Sequence, residues 1–180
     1  METRGLDRTL AILAALAALT VAFMVAGILT TRSSQDFFQS ARTIEAYSAH
    51  LAAPLAAFGL RLNLGLDNLF MVFYGAFFAG LAARLRGTLD PRLLGTALAA
   101  LMLTVLLDSF ENHHIMTMVH SIEEGLPLSA AEGGMQMIAS AIKFHASYLG
   151  VLMFSFGFLQ FENSAAPLRS RCGPTFPVGC

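Results

Sequence analysis

The sequence predicts an all-α integral membrane protein, a four-helix bundle with an interfacial helix in its first loop. Three observations carry that expectation. The chain is 56% hydrophobic and only 13% charged, whereas soluble domains are roughly a quarter charged. Apolar runs recur at residues 9–31, 66–84, 92–113 and 138–161, each near the ~20 residues that cross a hydrocarbon core about 30 Å thick. Arginines, prolines and polar residues collect between these runs. A length of 180 residues fits one domain, here residues 1–166, followed by an irregular cytoplasmic tail at 167–180 that is rich in proline and glycine.

The first run has no charge between Arg8 and Arg32. It outlasts the apolar core of roughly 7–15 residues found in a signal peptide, which makes it a retained first helix. Residues 32–65 are too polar to span. Within them Phe37, Ala41, Ile44, Ser48 and Leu51 recur at helical spacing while Asp36, Arg42 and Glu45 fall elsewhere, the pattern of a helix lying on the membrane surface over about 36–51. Pro54 interrupts it, and residues 55–64 lead into the second span, which Arg84 and Arg86 close.

A tight connection follows. Asp90 is placed as an N-cap and Pro91 as a first helical residue, so the second and third spans form a hairpin. The third helix continues beyond the bilayer to about Glu124, where Gly125 and Pro127 stop it. Ser129 and Glu132 have capping-box spacing, so the fourth helix begins near Ala130 and runs to about Phe161. Arg4, Arg8, Arg84, Arg86, Arg92, Arg169 and Arg171 then share one side, against Arg32, Arg42, Arg61 and Lys143 on or near the other. That bias orients both termini to the cytoplasm of a bacterial inner membrane.

Polar residues inside the spans are the functional signal. Counting about 1.5 Å per residue from the cytoplasmic ends, Arg84, Arg92 and Phe161, puts Asp67, Asp108, Glu111 and Lys143 at one depth, roughly 24–28 Å. Asp108, Glu111 and Asn112 share a face of the third helix through i, i+3, i+4 spacing. Gln136, Ser140, Lys143, Ser147 and Gly150 form a stripe on the fourth, and Asp67, Met71, Tyr74 and Phe78 line up on the second. Turning these faces inward assembles an acid/lysine cluster of Asp67, Asp108, Glu111, Asn112 and Lys143 at the outer membrane face. Gly75, Gly80, Gly95 and Gly150 are the positions expected to allow close helix contact. Such a cluster either fixes helix register as an ion pair or receives a small polar ligand, a lipid headgroup or a proton. Three acids against one lysine leave two excess negative charges if all ionise. A proton, a histidine, Arg61 or a bound cation must offset them.

Glu111 and His114 are one turn apart, the spacing of carboxylate-bridged di-iron bundles, which use that unit twice. Here it occurs once. Glu111 and His114 with Asp67 and Asp108 would make a chemically sensible zinc or iron site. His120 and Glu123 are a reversed echo outside the membrane, His145 is a packing or interfacial histidine, and His50 is expected to be solvated. A b-type haem would need His145 with His113 or His114, whose faces do not converge, so haem is not expected. Cys172 and Cys180 lie too late in the chain to staple a fold.

The runs Leu66-Asp67-Asn68-Leu69-Phe70 with Tyr74-Gly75, then Asp108-Ser-Phe-Glu111-Asn112, and Lys143 on the last helix, resemble a loose group of small four-helix bacterial membrane proteins of unknown function. The resemblance covers the last three spans and implies no activity. The ceramidase-like membrane hydrolases, which gather acids and histidines around zinc at one membrane face, offer an analogy. They have seven spans and a matched late histidine pair that this chain lacks.

Two classes of function follow: a non-enzymatic membrane protein, or a membrane enzyme acting on a lipid-soluble substrate through a carboxylate with Lys143 or a metal as electrophile. The expected partners are membrane lipid and further copies of the chain or other subunits of a membrane complex. A net charge of -1 offers no basic footprint for nucleic acid.

Overall fold

The computed structural model describes residues 2–40 and 43–171. Six helices account for nearly all of them: α1 (Glu2–Thr31), α2 (Gln35–Ser40), α3 (Ile44–Leu51), α4 (Ala56–Leu85), α5 (Pro91–Glu123) and α6 (Ala130–Arg171). Four stretches, Gly5–Thr31, Ala56–Leu85, Pro91–Glu123 and Ala130–Gly157, are long and apolar enough to cross a bilayer. Their lipid-facing surface is greasy, with Phe23, Val72, Leu106 and Leu152 exposed. A soluble fold would have to bury that surface. The chain is a multi-pass, all-α membrane protein.

Successive spans run antiparallel and pack in the row α1–α4–α5–α6. Asp7 pairs with Arg84 at 2.9 Å, and Thr31 meets Gly59 at the opposite end of the α1–α4 contact. Leu101 of α5 lies against Gly150 of α6, and Leu89 of the α4–α5 turn with Leu93 of α5 against Gly157. Gly75, Gly80 and Gly150 are contact points as expected, but Gly95 has no neighbour within 4 Å and faces open space.

The local signals explain the helix ends. Asp90 accepts from the N–H groups of Arg92 (2.9 Å) and Leu93 (3.1 Å), with Pro91 opening α5. Gly125, at φ 69, ends α5 in a left-handed cap. At the start of α6 the Ser129 hydroxyl accepts from the Glu132 N–H at 3.5 Å. The Glu132 carboxylate does not complete the capping box, because His114 on α5 has taken it.

Three boundaries differ from the sequence expectation. Residues 55–64 are not a lead-in, since α4 is one continuous helix from Ala56. The surface segment is two helices, α2 and α3, with Thr43 capping the second by accepting from the Ala46 N–H. Helix α6 continues past Phe161 to Arg171, five residues into the expected tail. Ala41, Arg42, Cys172, Cys180 and the rest of 172–180 lie outside the described residues.

At about 1.5 Å per residue, α4 and α5 each exceed the hydrocarbon thickness, so one end of the bundle stands beyond the bilayer. There α3 packs across α4 and α5 in an apolar cluster of Tyr47, Leu51, Leu60, Leu64, Ile115, Met118 and Val119. A second cluster, centred on Ala82, Ala97, Leu101 and Phe154, fills the end near the α4–α5 turn. The polar residues form a layer between these two cores.

Candidate functional site

Helical spacing sets which polar groups reach this layer. Gln136, Ser140 and Lys143 on α6 are all buried, as are Glu111 and Asn112 on α5 and Asp67 on α4. The stripes legible in the sequence are therefore the inward faces. Lys143 Nζ donates to Asp108 Oδ1 at 2.6 Å and to Glu111 Oε2 at 2.5 Å, and also sits 5.2 Å from the Phe144 ring centre. Glu111, only 1% exposed, accepts from Gln136 Nε2 at 2.9 Å through its other oxygen. Gln136 in turn accepts from the Tyr47 hydroxyl at 2.8 Å. An unbroken set of hydrogen bonds thus joins surface helix α3 to the ion bridge.

Asp67 belongs to an adjoining group. It is not bridged by Lys143; it accepts from Asn112 Nδ2 at 2.7 Å, and that same nitrogen also donates to Asn68 Oδ1 at 3.2 Å. Gln35, at the start of α2, stands beside the Asp67 carboxyl. The five residues expected to cluster are therefore together, as two neighbouring units joined through the α5 face that carries Asp108, Glu111 and Asn112.

The groups expected as alternative compensators have other partners. Arg61 is half exposed and pairs with Glu123 near the surface. His114 turns to Glu132 through Nδ1. Among the described residues no three His, Cys, Asp or Glu side chains gather as a metal-ligand group. His114 does not join Asp67, Asp108 and Glu111, since the i, i+3 pair on α5 meets α6 at two heights, Glu111 at Gln136 and Lys143, His114 at Glu132. The reversed echo also separates: His120 pairs with Glu124 at 3.1 Å while Glu123 goes to Arg61. His145 is exposed on α6, its Nδ1 2.7 Å from the Ala141 carbonyl. His50, expected in water, is instead stacked on Phe37 with ring centres 4.2 Å apart and lies 3.3 Å from the Ser33 hydroxyl.

Beside the Asp108–Lys143 pair lies a cavity of about 320 Å³. It occupies the cleft between α4 and α6, which both pack along α5 and only lightly on each other. Tyr74, Thr104, Asp108, Lys143 and Ser147 supply its polar wall, Phe70 and Val105 are among its apolar lining, and Gln35 and Gln39 of α2 roof it. Deeper in the bundle the contact of Phe78 with Phe154, ring centres 5.5 Å apart, closes the cleft.

No family model, curated protein or solved structure matches this chain. Its functional reading rests on the geometry above. Charged side chains facing a cavity can contact a ligand, whereas Glu111, sealed between Lys143 and Gln136, only holds the bridge in place. Asp108 presents an acceptor and Lys143 a donor to the same space, with the Tyr74 ring alongside. That combination suits a small molecule carrying both signs of charge or several hydroxyl and amide groups.

Sequence reasoning missed Tyr47, Gln35, Asn63 and Thr104. Asn63 was accessible to it, since it stands one turn before Asp67 on the same face of α4. Tyr47 and Gln35 had no signal along the chain, because they reach the site only through the path of the first loop.

Proposed function

We propose that this protein binds a small polar ligand or lipid headgroup in the cleft between α4 and α6, with Asp108 accepting from it and Lys143 donating to it. The cavity beside an ion bridge that leaves one Asp108 oxygen and one Lys143 proton unused carries this reading, because a bridge serving only to fix helix register would be packed on all sides. A zwitterionic group with an ammonium and an anionic end matches the wall, the ammonium meeting Asp108 and the anion Lys143. It could come from the bilayer as a phospholipid head or from solution as a small zwitterion.

We further infer a bacterial cytoplasmic membrane with both termini inside. The positive-inside bias of Arg84, Arg86 and Arg92 at the α4–α5 turn supports it. On this reading the chain belongs with the small four-helix bacterial membrane proteins that its Asp-x-x-Glu-Asn run resembles.

The test is native mass spectrometry of the protein from nanodiscs containing phosphatidylethanolamine or only phosphatidylcholine, with added phosphoethanolamine as the soluble arm. The expected result is a stoichiometric adduct from one source that is lost in Lys143→Met and in the cavity-filling Ser147→Phe. Adducts that are absent, or indifferent to both substitutions, would sink the reading. Elemental analysis of the same samples separates it from a metal-dependent membrane enzyme: stoichiometric zinc or iron lost in Asp108→Asn would favour the enzyme instead.

A further inference from the structure

Among the described residues, four buried side-chain polar atoms have no hydrogen-bond partner: Gln35 Oε1, Asn63 Oδ1, Asn112 Oδ1 and His114 Nε2. The first three belong to residues that adjoin Asp67 in space or along α4. Asn63 precedes it by one turn on the same face of α4, Asn112 bonds to it from α5, and Gln35 stands beside it from α2. All four residues are at least nine-tenths buried.

The orientation of two of these amides is set by their other ends. Asn112 Nδ2 donates to a carboxylate and an amide oxygen, and Asn63 Nδ2 donates to the Ser33 carbonyl at 3.3 Å. Flipping either group would set oxygen against oxygen. The unpartnered oxygens of Asn63 and Asn112 are therefore true acceptors. Each needs something positive or a donor, and native proteins rarely leave such groups unmet.

The charge balance points the same way. Lys143 is committed to Asp108 and Glu111, Arg61 to Glu123 and His114 to Glu132. No lysine, arginine or histidine among the described residues forms an ion pair with Asp67. One carboxylate beside neutral amides whose oxygens are unmet supplies the hard ligands of a cation site. With a single acid, its charge matches a monovalent ion better than calcium or magnesium.

We propose that Asp67, Asn63, Asn112 and Gln35 bind one sodium or potassium ion at the end of the bundle capped by α2 and α3. The ion ties α2, α4 and α5 together and neutralises Asp67. This site is distinct from the cleft: of its residues only Gln35 also lines the cavity.

The experiment uses the full chain in detergent with choline chloride as the sole salt. Sodium or potassium chloride replaces it at constant ionic strength, and melting is followed by size-exclusion chromatography alongside ²²Na⁺ scintillation-proximity binding with potassium as competitor. The expected result is saturable stabilisation by one of the two ions. Its apparent Kd should rise at least about tenfold in Gln35→Met and in Asn63→Ala, with binding lost in Asp67→Asn. Gln35→Met lies outside the spans and keeps the test decisive if a span variant fails to fold. Persistence of the ion response in Ser147→Phe separates this site from ligand binding in the cleft. Equal melting in choline, sodium and potassium would overturn the proposal, as would wild-type affinity in both Gln35→Met and Asn63→Ala, or a response confined to calcium or magnesium.

Discussion

Replacing Lys143 by methionine keeps most of the side-chain volume and removes one charge. Two carboxylates then face each other without their shared partner. The side chains are 7% exposed for Lys143, 13% for Asp108 and 1% for Glu111, so water cannot take over the solvation of Glu111. Removing one partner of a buried pair costs about 3–5 kcal/mol. For a chain of this size that corresponds to a fall in melting temperature on the order of 10 °C. The chain has no tryptophan, so loss of the monodisperse peak in size-exclusion chromatography after heating is a better assay than intrinsic fluorescence. Adding Glu111→Gln and Asp108→Asn to Lys143→Met should recover much of the loss, because neutralising a whole buried network is often nearly neutral. A single variant within about 1 kcal/mol of wild type would refute the buried bridge. A triple variant no more stable than the single one would show that shape, rather than charge, was lost.

Two further predictions probe packing and pH. At Gly150 an added Cβ would come 2.6 Å from Leu101 Cγ, so Gly150→Ala should destabilise by about 1–3 kcal/mol. Gly95→Ala, in open space on an α5 helix face, should be neutral or stabilising by up to about 1 kcal/mol; equal effects in the same melting assay would contradict the α5–α6 packing. Burial holds the His50 imidazole below its ordinary value of 6.5, so the native state binds that proton more weakly than the unfolded chain. Its contribution is intact above the unfolded value and is lost as pH falls through and below it. Wild type should therefore lose stability relative to His50→Gln between about pH 7 and 5, and parallel pH profiles would show that His50 does not couple to the fold.

Much of the site was legible along the chain. Depth counting brought Asp67, Asp108, Glu111 and Lys143 to one level, and helical spacing put Asn112 and Gln136 on the inward faces. The partner of Asp67 was not legible, because two donors, Asn112 and Lys143, were available at similar depth. Which one wins depends on the rotation of α4 about its axis. The same limit explains Gly95: small residues mark where helices can approach, but a neighbour must be present for the approach to happen.

What the sequence alone determined is what local chemistry dictates. Hydropathy and length set four spans, proline, aspartate and glycine set the ends of α5, and helical periodicity set which side chains share a face. Only the tertiary structure decided that α4 and α6 stand apart to leave a cleft, that Tyr47 reaches Gln136 from the surface, and that Gln35 of α2 stands beside Asp67. These depend on how the row of helices is rotated and how the first loop folds back over it. Many weak contacts, distant in sequence, settle those arrangements together, and no stretch of the chain encodes them by itself.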